Sequence, residues 1–160
     1  MSKAAFSTGM IAVIFITARF NPVVNAQIPP EIFGDVTIQH PFSPDPLILR
    51  GMSGGSVEGS KIAGKIQTPI TGVCQGFMEQ KPSHKLKLVG EFKYLKLLVQ
   101  GPADTTMIIK GPGGTWCNDD FDGKNPGIVG EWISGDYQIW IGSYKQHESL
   151  PYSLTITEGK

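Results

Sequence analysis

The stretch that decides the fold is residues 135–144, with the sequence GDYQIWIGSY. Tyr137, Ile139 and Ile141 occupy every second position, so on a β-strand their side chains point to one face. Trp140 points to the opposite face, which is then either covered by other residues or exposed. The alternation therefore predicts a strand that buries one full face in a core.

The same period of two recurs on both sides of this strand. The alternating sets are His84, Leu86 and Leu88; Leu95, Leu97 and Val99; Thr105, Met107 and Ile109; and Tyr152, Leu154 and Ile156. Gly, Pro, Asn and Asp separate the sets, and no window has the three-and-four spacing of an amphipathic helix. The sequence predicts an all-β fold, an antiparallel β-sandwich of jelly-roll type with about seven to nine strands.

The amino-terminal residues have the three-part layout of a secretory signal. Lys3 precedes an apolar run over 10–16, and the small residues at 24–26 suit cleavage before Gln27. The run is far shorter than the roughly 20 residues of a membrane-spanning helix. We predict a signal peptide over 1–26, no membrane span, and a secreted or periplasmic protein. Several prolines disfavour the alternative, a helix packed on the domain.

The remaining chain divides into a proline-rich arm over 27–46 and a sandwich domain over 47–160. Weaker strand candidates lie at 36–39 and 47–50, and the Gly- and Ser-rich residues 51–59 predict a mobile loop. The chain has 14 basic and 14 acidic residues, and it lacks the basic stripe typical of proteins that bind nucleic acid.

The two cysteines, Cys74 and Cys117, are an even number in a chain predicted to be exported. Export places them in an oxidising compartment, which predicts one disulfide bond. The alternative is two free or metal-binding thiols, and the lack of further ligands at zinc spacing disfavours it.

The densest polar segment is residues 118–125, with the sequence NDDFDGKN. Oxygen-bearing side chains at alternate positions, followed by a glycine, match the first half of a calcium loop. Val129 stands where an EF-hand has glutamate, so the loop is not an EF-hand. The alternative is a turn in which Asn and Asp side chains bond to their own backbone. The predicted metal ligands are Asn118, Asp119, Asp120, Asp122 and Asn125.

Two further groups of residues are candidates for binding or catalysis. Trp140 and Tyr144, if exposed, form a predicted binding surface for a sugar or a peptide, and the alternative is that they belong to the core. No catalytic residue is predicted. The three histidines, His40, His84 and His147, lack a recognisable partner, and the serine of residues 51–55 lacks the spacing of a nucleophile elbow.

Several motifs in the carboxyl-terminal half occur in a recognisable order. A strand at 104–109 is followed by Gly111-Pro112, the acidic loop after Cys117, and the Gly-x-Tyr strand that begins at Gly135. This order resembles the bacterial pre-peptidase C-terminal domain. The resemblance implies a jelly-roll β-sandwich that accompanies exported enzymes, and some relatives bind calcium or matrix proteins. It implies no peptidase activity.

Carried over by position, the resemblance makes the acidic loop, with Asp119, Asp120, Asp122 and Asn125, the best site candidate. The sequence as a whole predicts a non-catalytic, exported binding or accessory module. Its predicted partner is an exported protein or polysaccharide, and its predicted cofactor is calcium. Two alternatives remain open: a small secreted hydrolase or peptidase, and a structural subunit of an envelope or extracellular assembly.

Overall fold

The computed structural model describes residues 34–159, so the predicted signal peptide and the first part of the predicted arm lie outside the described residues. The elements are β1 (Val36–Gln39), β2 (Leu47–Met52), β3 (Val57–Glu58), α1 (Gly59–Ala63), β4 (Gln67–Thr68), β5 (Gly72–Val73), β6 (Phe77–Met78), β7 (His84–Val89), β8 (Phe92–Gln100), β9 (Thr105–Gly111), β10 (Gly114–Asn118), β11 (Gly127–Trp132), β12 (Gly135–Ser143) and β13 (Pro151–Thr157). The predicted β-sandwich is confirmed.

Two sheets and a small hairpin make up the fold. The larger sheet runs β1, β7, β12, β9, β10. The short strand β6 pairs with the last residue of β12, and β3 pairs with β6. The smaller sheet runs β11, β8, β13, β2, and β4 pairs with β5. Thirteen strands lie within the described residues, more than predicted, because β3 to β6 have only two residues each and carry no readable period.

One strand pair departs from the antiparallel prediction. β1 lies parallel to β7, with Val36 opposite Leu86 and Ile38 opposite Leu88. The pairing is possible because a chain of more than forty residues separates the two strands, and parallel neighbours need a long crossover connection. Part of the predicted arm thus contributes an edge strand to the larger sheet.

The main core lies between the facing surfaces of the two sheets. The alternating sets read from the sequence supply most of it, and their side chains are almost fully buried. Tyr137, Ile139 and Ile141 on β12 face Leu95, Leu97 and Val99 on β8 across this interior. Among the described residues, no helix has the length and apolar character needed to cross a membrane.

The outer face of the larger sheet is also covered. Trp140 and Ile108 point outward from β12 and β9 into a second cluster with Ile62, Met78 and the disulfide sulfurs. The covering layer is residues 53–80. The predicted mobile loop at 51–59 is therefore wrong, since this segment contains the end of β2, then β3 and the first residue of α1.

Buried hydroxyl groups show why the segment is ordered. The Ser53 amide donates to the Leu150 carbonyl at 2.9 Å, and the Ser53 and Ser143 hydroxyl oxygens are 2.9 Å apart. Ser53 is almost fully buried, so these bonds compensate for its lost hydration. They join the start of the covering layer to β12 and to the residues before β13.

The predicted disulfide is confirmed and joins the covering layer to the larger sheet. Cys74 lies in the layer and Cys117 in β10, and both are buried beside Trp140. The bond therefore fixes the layer against the sheet, in addition to restricting the unfolded chain.

A buried polar pair bridges the two sheets. The His84 Nδ1 is 2.9 Å from the Gly34 carbonyl oxygen, to which it donates, so Nε2 accepts from the Tyr152 hydroxyl at 2.8 Å. His84 is on β7 and Tyr152 is on β13. Burial lowers the pKa of His84 and raises the pKa of Tyr152, so both groups are neutral at neutral pH.

Removing the disulfide should destabilise the domain by about 4 kcal/mol, the loop-closure value for a separation of 43 residues. Urea unfolding of the Cys74→Ala/Cys117→Ala variant measures this loss. Wild-type protein treated with a reductant should lose a similar amount. An unchanged free energy of unfolding in both would contradict the role given to the bond.

Stability should fall as the pH drops below about 6.5, because unfolded His84 takes up a proton that the buried side chain resists. One such group contributes a slope of up to about 1.4 kcal/mol per pH unit. Urea unfolding between pH 5 and 8 measures the slope, and His84→Gln should reduce it. The exposed His147→Gln is the control and should retain it. Equal slopes in all three proteins would exclude His84 as the source.

Candidate functional site

A groove opens between the edge strands of the two sheets. β10 is the edge of the larger sheet and β11 the edge of the smaller one, and each is paired on one side within the described part of the chain. The groove between them has a volume of about 240 Å³. It is lined by β10, β11, the turn at Gly113, the residues after β11, and the tip of the β4–β5 hairpin.

Three aromatic rings form the floor of this groove. The Trp132 and Tyr137 ring centroids are 5.0 Å apart, and the Trp116 centroid is 6.0 Å from that of Trp132. The Trp132 Nε1 donates to the Leu95 carbonyl at 3.1 Å, and the Tyr137 hydroxyl donates to the Ile133 carbonyl at 2.9 Å. Trp132 and Tyr137 are only 5% and 1% exposed, so the half-buried Trp116 supplies most of the accessible aromatic surface. Because the polar atoms of Trp132 and Tyr137 are already bonded to backbone, these rings are apolar toward the groove. Burial also raises the pKa of Tyr137, which keeps its phenol neutral.

The rim of the groove is apolar and exposed. Ile70, at the tip of the hairpin, is 89% exposed, and Val129 and Ile133 are each nearly half exposed. Large aliphatic side chains in water at the edge of an aromatic floor are the surface pattern that marks binding sites rather than cores. Glu131 is the acidic residue of the lining.

Two glycines allow the rings to pack as they do. A Cβ atom on Gly111 would lie 2.1 Å from the Tyr137 ring, which is closer than real carbon atoms approach. A Cβ atom on Gly113 would lie 3.0 Å from the Trp116 ring. The Gly-Pro-Gly turn after β9 therefore has a steric role in the groove as well as its role in reversing the chain.

The hairpin tip is held in place by polar contacts to β10. The Cys117 amide donates to the Thr71 hydroxyl at 3.1 Å, and the Asn118 side-chain amide donates to the Thr71 carbonyl at 3.0 Å. These contacts fix Ile70 beside the rings, since Ile70 precedes Thr71 in the chain.

The acidic loop connects β10 to β11, and its two asparagines bond to backbone. The Asn118 Oδ1 accepts from the Gly127 amide at 2.9 Å, and the Asn125 Oδ1 accepts from the Gly101 amide at 3.2 Å. The Asp119 carboxylate accepts from the Gln75 side-chain amide. Asp122 and Asn125 pair through their backbones, with N···O distances of 3.0 and 3.1 Å.

The predicted metal ligands lie in one loop, but the side chains of three of the five, Asn118, Asp119 and Asn125, bond to protein groups. Within residues 34–159 no group of three or more His, Cys, Asp or Glu side chains is placed to hold a metal ion. Asp120 and Asp122 are the carboxylates of the set without such contacts in the described part of the chain. Calcium binding therefore stays a prediction, in which the carboxylates of Asp120 and Asp122 are the ligands.

The predicted surface of Trp140 and Tyr144 is not formed. Trp140 is only 6% exposed, because the covering layer packs on it and its Nε1 lies 3.4 Å from the Gln80 carbonyl. Tyr144 is 46% exposed and lies after the end of β12. The structure thus confirms the alternative for Trp140, which belongs to the core. Tyr144 is exposed, so the two side chains do not share one exposed surface.

The residues weighed for catalysis have mainly structural contacts. His84 is in the buried pair described above, and the His40 ring bonds to the Glu158 carboxylate. Ser53, in the segment compared with a nucleophile loop, bonds to Ser143 and to the backbone of Leu150. His147 lies in an exposed loop with a positive φ of 63°.

The groove residues were not predicted from the sequence. Trp116, Trp132 and Ile70 lie in three separate segments, and only the meeting of two sheet edges brings them together. One signal was available: Ile70 stands alone among Thr, Pro and Gly in 68–72, where a large apolar residue has no neighbouring strand period to explain it.

Comparison with known proteins finds a curated relative and several solved structures, of which two are described below. No family model matches the chain. An uncharacterized protein of Synechococcus elongatus is 33% identical over 86 residues, which cover 51% of this chain and 63% of the relative. The matched region thus spans less than two thirds of that relative.

The two solved structures are both distant. The pre-peptidase C-terminal domain of a collagenase from Bacillus anthracis has a TM-score of 0.47 and 10% identity over 82% of this chain and 99% of that domain. Aeromonas hydrophila PliG, a periplasmic inhibitor of g-type lysozyme, has a TM-score of 0.36 and 16% identity over 78% of this chain and 96% of the inhibitor. At such scores the likenesses carry no inference about function, and the fold described above rests on this chain's own strand pairing.

The calcium hypothesis predicts that calcium raises the melting temperature, since a ligand of the native state stabilises it. Saturation at one hundred times the dissociation constant would add about 2.7 kcal/mol. Differential scanning calorimetry with calcium and with a chelator measures the shift, and Asp120→Asn/Asp122→Asn should abolish it. Identical melting in both buffers would refute calcium binding at this loop.

Proposed function

We propose that this protein is a non-catalytic binding module whose groove receives an apolar side chain of a protein partner. The observation that carries the proposal is the combination of an aromatic floor, made by Trp116, Trp132 and Tyr137, with an exposed apolar rim at Ile70, Val129 and Ile133. Aromatic and aliphatic side chains at a concave surface are the usual anchoring points of protein interfaces.

The size of the groove favours a side chain over a cofactor. Its volume of about 240 Å³ is below the 300–1,000 Å³ that is typical of pockets for small molecules. A single large side chain fits such a space, while the rest of the partner would contact the rim. The partner would gain roughly 1.5–3 kcal/mol from full burial of one large apolar side chain.

The chemistry of the floor favours a protein over a polysaccharide. Sugar recognition needs hydrogen-bonding groups around the aromatic surface, because hydroxyl groups buried without partners cost free energy. In this groove the polar atoms of Trp132 and Tyr137 are bonded to backbone, which leaves Glu131 as the charged hydrogen-bonding side chain of the lining. Thr71 likewise takes part in the contacts to β10. An apolar side chain has no polar groups that need hydrogen-bond partners in the groove.

Export and accessory action form part of the same proposal. A buried disulfide is the cross-link expected of a protein that folds in an oxidising compartment, either the periplasm or the medium. A module of this kind would act by holding a protein partner through the groove. The signal peptide over 1–26 belongs to this proposal.

Indole, as an analogue of a tryptophan side chain, should bind in the groove. Titration followed by ¹⁵N–¹H chemical shifts should move the backbone signals of Trp116, Gly130 and Trp132. Ile70→Ser should weaken binding about fivefold through the loss of apolar contact, without affecting the fold, because Ile70 is exposed.

The matched control is Ile66→Ser, an exposed isoleucine of the same covering layer that does not line the groove. It should bind indole as the wild type does. Shifts scattered over the whole surface, or none at saturating indole, would overturn the proposed function.

A further inference from the structure

The wall of the groove on the β11 side is the outer edge of that strand. Every residue from Ile128 to Ile133 belongs to the lining. Successive side chains of a strand point to opposite faces, so a cavity over one face contacts only alternate residues. An unbroken run of lining residues therefore places the groove beside the edge of β11, where its backbone groups are.

Two hydrogen bonds determine which backbone groups of β11 point to this edge. The Val99 amide donates to the Pro126 carbonyl at 3.0 Å, so Pro126 bonds toward β8. The next residue, Gly127, points away from β8, since its amide donates to the Asn118 side chain at 2.9 Å. The direction of bonding alternates along an antiparallel strand. Val129 is therefore the next residue whose N–H and C=O groups point toward the groove.

The outward groups of β11 form an unpaired array in the described part of the chain. Within residues 34–159, β11 pairs with β8 alone, and the hydrogen bonds outside the sheets do not involve Val129. Glu131 points outward by the same alternation, because the extra residue of the bulge lies on β8, where Leu95 and Phe92 oppose Gly130 and Trp132. The partial charges of these N–H and C=O groups are complementary to those of another extended backbone.

Gly130, between the two outward residues, leaves room for a side chain of a partner. It faces the interior of the sandwich, as do Ile128 and Trp132 at the same parity, which are buried. A Cβ atom on Gly130 would meet no atom within 4 Å outside its two chain neighbours. A residue that paired opposite Gly130 would have its Cα atom only about 4.5 Å away. Its side chain would enter the groove, which Trp116 also lines.

We propose that the partner is an extended polypeptide segment that adds to β11 as a fifth strand of the smaller sheet. It lies antiparallel to β11, the more stable arrangement, with its backbone bonded to Val129 and Glu131 and one large apolar side chain opposite Gly130. This inference rests on the proposed function and specifies how the partner is held. The backbone bonds supply affinity for an extended segment, and the side chain opposite Gly130 supplies the selectivity.

A second copy of this chain does not fit the same edge. In a symmetric antiparallel pair of two β11 strands, the residue opposite Gly130 is one of the inward-facing residues of the other copy. These are Ile128, Gly130 and Trp132. Ile128 and Trp132 are each only 5% exposed because they fill the core of their own copy, and glycine has no side chain. The segment that adds to β11 therefore belongs to a different protein.

The probe is the blocked pentapeptide Thr-Thr-Trp-Thr-Thr, in which tryptophan is the anchor. In the proposed pairing, the amides of its second and fourth residues donate to β11, and those of its first, third and fifth residues point away. One modified peptide is N-methylated at its second and fourth residues, and the matched control is N-methylated at its first and fifth. Each peptide is titrated into the ¹⁵N-labelled protein, and chemical shifts and amide exchange rates are recorded.

Methylation of the second and fourth residues should weaken binding about tenfold or more, because two backbone hydrogen bonds are lost. The control peptide should bind as the unmodified one does. The unmodified peptide should also slow exchange of the Val129 amide proton by about tenfold or more, since that amide becomes hydrogen-bonded.

Gly130→Val should weaken binding of the unmodified peptide about tenfold or more, because the new side chain occupies the space of the anchor. The control Thr37→Val, an exposed change on the edge strand β1, should leave binding unchanged. Thermal melting of both variants checks that they fold, and the methylated peptides test the pairing on the wild-type protein in any case.

The outcomes separate this inference from the proposed function. Equal affinity for the two methylated peptides overturns strand addition and leaves the groove as an apolar site. The same conclusion follows if a protein that binds indole binds none of the peptides, or if bound peptide leaves exchange at Val129 unchanged. Failure of indole itself to bind removes the proposed function and this inference together.

Discussion

Burial of both faces of β12 over residues 139–143 is the constraint on which the rest of the structure depends. Tyr137, Ile139 and Ile141 fill the space between the sheets, and Trp140 projects from the other side of the same strand. A two-sheet sandwich buries only one face of each sheet, so the outer face of the larger sheet needs a third layer. Residues 53–80 supply that layer, although their strands have only two residues each and their helix has five. The disulfide holds it against β10, where Cys117 lies.

The covering layer also shapes the groove, which lies on a different side of the molecule. Its β4–β5 hairpin ends at Val73, next to the disulfide, and Thr71 accepts from the Cys117 amide. The cross-link and this hydrogen bond together determine where Ile70 is held, although neither touches a ligand in the groove. Stability and binding are thus connected through one short segment, because the packing that hides Trp140 also presents Ile70.

The sequence predicts the parts of this fold in which apolar and polar residues alternate. The alternating sets on β7, β8, β12 and β13 identify the inner core, and the pair of cysteines identifies the cross-link. The covering layer over 53–80 could not be predicted from the sequence, because strands of two residues show no alternation. The acidic loop was ambiguous for a chemical reason: the side-chain oxygens of Asn118 and Asn125 suit a cation and a backbone amide equally well, and here they accept from Gly127 and Gly101.

The chain covers one lateral opening of the sandwich and leaves the other open. This difference argues that the groove is a binding site and not a packing defect. On the side where the chain crosses from β1 to β2, the segment at 40–46 packs Phe42 near Phe92 of β8, with ring centroids 6.3 Å apart, and the Phe42 amide donates to Glu158 at 3.2 Å. The chain therefore covers an aromatic surface there. At the β10–β11 side, the half-buried Trp116 lies at the open groove in the described part of the chain, with Ile70 exposed beside it. Exposed apolar surface costs free energy, so its presence at the uncovered opening is explained most simply by a partner that covers it.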